Sequence, residues 1–360
     1  MTGVLTADII SPVIVLQKPV RPATRKGSRG SLFVHKKFLI GEILIMDKPF
    51  LTYEQQIQKL MNDKGLEIKD REYAINLLKN HSYFDLISGY KAPFKNKEGT
   101  YKLHTSIEDI YALYCFDDEI RTVFLKYILK VEKKIKSLIS YSFCDEYGEE
   151  QIHFLNATKY NYTSQNQADI NDLISRLSKI IVDPQNYPYI KHQKKKHSNV
   201  PLWVLMKALT LGTISKMYSF LPQKIQFKVS VEFQYVNEGM LVQMLDLLAR
   251  VRNVCAHNER LYDYKYRKGT IDNTDIHDIL AIPKRKEQYA KGKNDLFAVV
   301  IVLKYLLEDN DFNQFINSMD EAVKRLFKST RRIDQKQLYR YMGFPENWID
   351  IRECGKVKIL

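Results

Sequence analysis

Long apolar runs are missing from this sequence; none reaches the roughly 18 consecutive apolar residues that a membrane span needs. Glycine and proline are scarce, 14 and 11 in 360 residues. So few turn formers disfavour strand-and-turn architectures such as sandwiches and barrels. The four cysteines, Cys115, Cys144, Cys255 and Cys354, form no C-x-x-C pair and have no histidine at a ligand spacing. Neither a disulfide framework nor a zinc site is expected, and no metal or cofactor is called for. The opening MTGVLTADIISPVIVLQKP sets an acid and a proline among its apolar residues and lacks a basic start, so it does not read as a signal peptide. A cytoplasmic protein with no membrane partner is the expectation.

Acidic residues are also short relative to basic ones: 42 Asp and Glu face 56 Lys and Arg, for a net charge of +14. Such an excess points to a polyanionic partner, nucleic acid before an anionic membrane surface. Hydrophobic residues make up 45% of the chain and aromatics 12%, enough for a sizeable core.

Three regions differ in composition. Residues 1–46, with the stretch RPATRKGSRGS, read as a basic, partly flexible segment. Residues 47–330 carry helical periodicity, and residues 331–360, with Arg331 and Arg332, read as a basic tail. Within the helical region Thr52 and Gln55 have the spacing of a capping box, and Gly65 closes that helix. DREYAINLLKNHSYFDLISGY reads as one helix running out at Ser88-Gly89. The longest periodic block opens at Ser106 and offers a break near Asp117-Asp118. In its second half Phe124, Tyr127, Ile128, Val131, Ile135, Leu138 and Ile139 fall on one buried face, with Lys126, Lys130, Lys133 and Lys134 on the other side. ADINDLISRLSKIIV is a further helix. YPYIKHQKKKHSNVPLW reads as a basic loop whose Lys194, Lys195 and Lys196 lie between aromatics, a pattern suited to phosphates and stacked bases. QKIQFKVSVEF alternates only briefly. The whole reads as an all-α protein.

The stretch RNVCAHNERL, Arg252 to Leu261, follows an apolar helical run. With Leu241 at zero on a helical wheel, Leu245, Leu248 and Cys255 cluster near it, and Arg252 lands among them at roughly 20°. An unpaired guanidinium there would be costly, so a carboxylate, a cleft or another chain must meet it. Glu132 is the mirror case, an acid at the edge of the stripe formed by Leu125, Ile128, Ile135 and Ile139, and pairing it with Arg252 would resolve both. His257 lies about 140° from Arg252 on a continuous helix, whereas Asn253 and His257 share a face.

RNVCAHNERL resembles the R-N-x-x-x-H signature of the HEPN superfamily of ribonucleases and RNA-binding domains. With DKPFLTYEQQIQKL (Asp47 to Leu60), LLKNHSYFDLISGYKAPF (Leu77 to Phe94) and RNVCAHNERLYD (Arg252 to Asp263), the chain is similar to the Abi-like proteins of bacterial abortive-infection phage resistance, of the AbiD and AbiF type. The resemblance implies a HEPN-like helical bundle with additional helices. It also implies metal-independent RNA cleavage, in which a ribose 2′-hydroxyl attacks the adjacent phosphate and leaves a 2′,3′-cyclic phosphate. Matched onto this chain, His257 would move the proton, as a side chain titrating near 6.5 can. Arg252 would bind the phosphate and Asn253 would orient it or the histidine, with Glu132 and Asn258 in support. Lys126, Lys130, Lys133, Lys134, Lys194, Lys195, Lys196, Arg331 and Arg332 are the candidate RNA contacts. The resemblance further implies a structured small non-coding RNA as partner, as in a toxin held in check by RNA. RGSLFVH (Arg29 to His35) has a permitted spacing but sits in a Gly-Ser segment, leaving one credible motif per chain, so a homodimer with the Leu241, Leu245 and Leu248 line at its contact is expected. Two other readings stand beside the nuclease: a non-catalytic RNA-binding module that blocks translation or senses phage RNA, and a protein-interaction module.

Overall fold

Residues 39–40, 43–44 and 49–355 are described by a computed structural model, in which the chain divides after Phe50 into two units. In the first, β1 (Leu39–Ile40) pairs antiparallel with β2 (Ile43–Leu44). The expectations for Arg21 to Ser31 and for RGSLFVH fall outside the described residues.

The second unit is helical. Its first half holds α1 (Tyr53–Gln58), α2 (Arg71–His81), α3 (Ile107–Tyr147), α4 (Gln151–Phe154), α5 (Gln167–Val182), α6 (Pro188–His197) and α7 (Leu202–Leu205). Its second half holds α8 (Leu211–Phe220), α9 (Gln223–Ser230), α10 (Glu238–Ala256), α11 (Asp275–Ile279), α12 (Leu296–Leu306), α13 (Asp309–Ser329) and α14 (Gln335–Met342). A two-residue hairpin, β3 (Lys284–Arg285) and β4 (Gln288–Tyr289), is its one named strand pair among the described residues. The fold is all-α, and no helix among the described residues is long and apolar enough to cross a membrane.

Capping follows the sequence closely. The Gln55 N–H donates to Thr52 Oγ1 and the Thr52 N–H to Gln55 Oε1, at 3.3 and 2.9 Å. Beyond α1 the chain widens into a π-helical turn, Lys59–Asp63, before Gly65 reverses it at φ +68°. α2 ends at His81 instead of running on to Ser88, because Ser82 adopts φ +54° and its hydroxyl accepts from the Asp85 N–H. A second π-helical stretch, Ser82–Ser88, carries the chain onward.

The expected break in α3 does not occur. Arg121, one turn on, donates to Asp117 at 2.6 Å and Asp118 at 2.8 Å, which neutralises an adjacent acid pair that would otherwise favour a stop. The resulting 41-residue helix is the spine of the unit, packing against α13, α10 and α9. Its predicted inner face is buried from Phe124 to Ile139, with Leu138 half-buried.

One other segment differs from expectation, and a second, QKIQFKVSVEF, settles as a helix. YPYIKHQKKKHSNVPLW contains a helix, α6, because Pro188 suits the first helical turn and Ile190 is fully buried under it. QKIQFKVSVEF forms α9, since Ile225 and Val229, four apart, anchor one buried face while Phe227 stays exposed.

α12 is buried on every side, as its uninterrupted apolar composition requires of a central helix. Residues 331–355 are not a free tail: Ile333, Leu338, Met342, Phe344, Trp348 and Ile351 are buried in the same core. Gly343, at φ +74°, brings backbone against Asp295, the N-cap of α12; a Cβ there would lie 2.2 Å from that carboxyl carbon.

Near this junction His277 is fully buried, its Nε2 donating to the Gly292 carbonyl at 3.0 Å and its ring stacked on Tyr289. Its Nδ1 accepts from the Thr274 N–H at 3.1 Å, which calls for the neutral ring. Burial pushes its pKa below the ordinary value, with Lys293 and Asp278 as neighbouring charges. Between that lowered pKa and about 6.5 the unfolded chain holds a proton the folded one does not, so stability present at neutral pH is lost as pH falls. The urea midpoint should therefore drop between pH 7.5 and 5.5, and drop less in His277→Gln. An equal drop in both proteins would assign the acid sensitivity elsewhere.

Candidate active site

α10 begins at Asn237, whose Oδ1 accepts from the Met240 N–H at 2.9 Å, and carries the apolar line of Leu241, Leu245 and Leu248. All three are fully buried in the chain's own core, where α10 packs against α8, α3, α9 and α12. This corrects the expected dimer contact: the line is consumed within one chain and presents nothing to a partner.

Arg252 ends that line on the side of α3. Its Nε lies 3.9 Å from Glu132 Oε2, and Lys136 holds Glu132 Oε1 at 2.7 Å. Glu132 is only 6% exposed, so its charge rests on these two cations. The Arg252 contact is too long for a hydrogen bond, and both atoms lack another partner.

The helix stops at Ala256 through a left-handed closure. The Asn258 N–H donates to the Cys255 carbonyl and the Glu259 N–H to the Val254 carbonyl, at 3.4 and 3.0 Å. Asn258 sits at φ +55°, a position that asparagine tolerates better than most residues, so its identity serves the helix end. His257 is the C-cap, at φ −99° and ψ 10°, its N–H still bonded to the Asn253 carbonyl. It opens onto a cleft of about 760 Å³ together with Lys79, His81, Asp85, Tyr114 and Arg260. Asn253 lines a separate hollow of about 260 Å³ beside Asp246 and Arg250. Within one chain, then, Arg252 faces Glu132, while Asn253 and His257 line different hollows.

The cleft owes its shape to a buried network that the sequence did not announce. Asp117, fully buried, accepts from the Tyr90 hydroxyl at 2.6 Å, from Arg121 at 2.6 Å and from the Tyr262 N–H at 2.6 Å. The Leu261 N–H adds bonds at 3.1 and 3.2 Å. Burial alone would push the Asp117 carboxyl up toward its neutral form. The Arg121 guanidinium, the Tyr90 hydroxyl and the two amide N–H groups act the other way and favour the charged form. The network joins both walls of the cleft to α3. Arg260 adds a direct tie, donating to the Gly89 carbonyl and, at 2.7 Å, to Asp263.

Residues 76–263 match the family described as Abi-like protein, 188 of the chain's 360 residues. The chain belongs to the Abi-like family. The matched stretch of this Abi-like chain contains Tyr90, Asp117, Arg121 and Leu261–Tyr262, together with Lys79, His81 and the R-N-x-x-x-H residues. No curated protein and no solved structure matches the chain.

The remaining expected contacts of the Abi-like protein divide by what they already hold. Lys130 pairs with Asp311 at 2.5 Å and Lys134 with Glu308 at 2.8 Å, so half of the lysine stripe ties α3 to the region where α13 begins. Lys194 donates to the Ile181 carbonyl at 2.7 Å and closes the end of α5. Lys126, Lys195, Lys196, Arg331 and Arg332 are exposed. Lys133 lines a hollow of about 520 Å³ with Lys136, Lys207 and Trp203, and Trp203 is half exposed. Cations around an open aromatic face suit the backbone and bases of a single strand. Trp203 follows the basic stretch in sequence, and α6 turns the chain so that it meets α3.

Among the described residues no group of three or more His, Cys, Asp or Glu is placed to hold a metal ion. The four cysteines are free thiols, and burial pushes Cys255 up to about 12, far from a nucleophile's range.

Proposed function

We propose that this Abi-like chain is a metal-independent endoribonuclease of the HEPN type, acting in abortive-infection defence against phage and partnered by a structured small RNA. The observation that carries the reading is His257. It ends an R-N-x-x-x-H motif, is exposed, and opens into a cleft that also holds Lys79 and Arg260. An imidazole moves protons at neutral pH, and cations beside it offset the charge that develops on a phosphate. Family membership supports the defence role, and the net charge of +14 supports an RNA partner.

In this reading Glu132 and Arg252 brace α10 against α3, and the hollow at Trp203 takes single-stranded RNA. The purified protein should cleave single-stranded RNA at the same rate in EDTA as in Mg²⁺, leaving ends that resist ligation until the cyclic phosphate is opened. Strict Mg²⁺ dependence would overturn the mechanism. Tight binding of RNA with no cleavage would favour the non-catalytic RNA-binding reading instead.

A further inference from the structure

The motif contributes one histidine to the cleft, yet transesterification needs a proton removed and a proton delivered. Seven of the eight histidines lie among the described residues. Most are spent or remote: His277 has both nitrogens engaged, His104 lies 2.8 Å from Glu67, and His153 lies near Glu150. His192 and His197 sit on α6, away from the cleft. His81 is different. It is the last residue of α2 and lines the same cleft as His257.

We propose that His81 is the second proton-transfer group of this site, supplied by the same chain as His257. The proposal rests on the nuclease reading and deepens it. The His81 ring packs against Tyr111 and Tyr114, with centroids 5.4 and 4.7 Å away, and its nitrogens have no hydrogen-bond partner among the described residues. An imidazole fixed by ring contacts with both nitrogens open has the freedom a proton carrier needs. The break at Ser82 places it there: a continued helix would have carried the chain past the cleft, whereas φ +54° turns it away immediately after His81. The two walls do not drift, because Tyr90 from one and Leu261–Tyr262 from the other meet on Asp117.

The chemistry balances without a metal or a co-reactant. One imidazole takes the 2′-hydroxyl proton as the O2′–P bond forms. The other, as imidazolium, gives its proton to the 5′-oxygen as the P–O5′ bond breaks. The products are a 2′,3′-cyclic phosphate and a 5′-hydroxyl. Lys79 is the cation on the His81 wall. Asp85, the acid on that wall, has one carboxylate oxygen occupied by the Ser82 hydroxyl at 2.8 Å. A phosphodiester of single-stranded RNA is the ligand this arrangement fits, and one chain supplies both histidines.

The test measures cleavage of a fluorescein-labelled single-stranded RNA in EDTA from pH 5 to 9 by the full chain. His81→Gln should lower kcat by roughly 10²–10⁴-fold with KM little changed, and the bell-shaped pH profile should lose one limb. His81→Asn serves as a second variant should the first fold poorly, with thermal melting as the control. A mixture of His81→Gln and His257→Ala proteins should stay inactive, since each cleft lacks one group. A His81 variant with wild-type rate and profile, or activity restored in the mixture, would overturn the proposal while leaving the nuclease reading intact. A wild-type protein that cleaves no RNA would remove both.

Discussion

His257→Ala should reduce RNA cleavage by roughly 10²–10⁴-fold, the contribution of a positioned acid or base, while leaving the fold untouched. The imidazole is exposed and has no hydrogen-bond partner among the described residues, so its removal breaks no side-chain contact of the core. The C-cap bond from the His257 N–H to the Asn253 carbonyl, 2.9 Å, belongs to the backbone and survives the substitution. Stability should change by no more than about 0.5 kcal/mol, as for exposed positions generally. Binding of RNA should persist, because the cations of the cleft and of the Trp203 hollow remain. Single-turnover cleavage and a thermal melt on the same preparation separate these effects. Cleavage by the variant at the wild-type rate would remove His257 from the chemistry.

The largest stability effect is expected at Asp117. Asp117→Ala deletes the acceptor of the Tyr90 hydroxyl and of two amide N–H groups, and it strands most of the Arg121 guanidinium in the core, where Arg121 is 2% exposed. Removing one partner of a buried ion pair costs roughly 3–5 kcal/mol. Against a total of about 5–15 kcal/mol for an ordinary domain, that is enough to unfold much of the protein. Asp117→Asn keeps an acceptor for the amides and should cost less. Urea unfolding of the three proteins measures the difference. A loss below about 1 kcal/mol for Asp117→Ala would mean that the network contributes little to holding the cleft walls.

Much of the fold was legible because its signals are local. Thr52 with Gln55 and Ser106 as an N-cap are read within four residues, and the Phe124 to Ile139 stripe within five turns. What was not legible depends on residues far apart in sequence. Nothing near Asp117 says that amides 144 and 145 residues away will donate to it. The lysines of α3 look free until Asp311 and Glu308 arrive from the far end of the chain. The wheel brought Arg252 and Glu132 near each other, but it could not show that His257 and Asn253 line different hollows.

The burial of α12 bears on when this protein can act. The stretch matched to the family ends at residue 263, whereas α12 begins at Leu296 and packs against α3, α10 and α13. A chain still being synthesised, with everything through His257 already made, exposes the inner faces of α3 and α10 to water and has no centre to close on. The motif helix is thus complete before the core that holds it. The matched stretch is a unit of sequence and not of folding, and a chain halted before α12 is left with its core open.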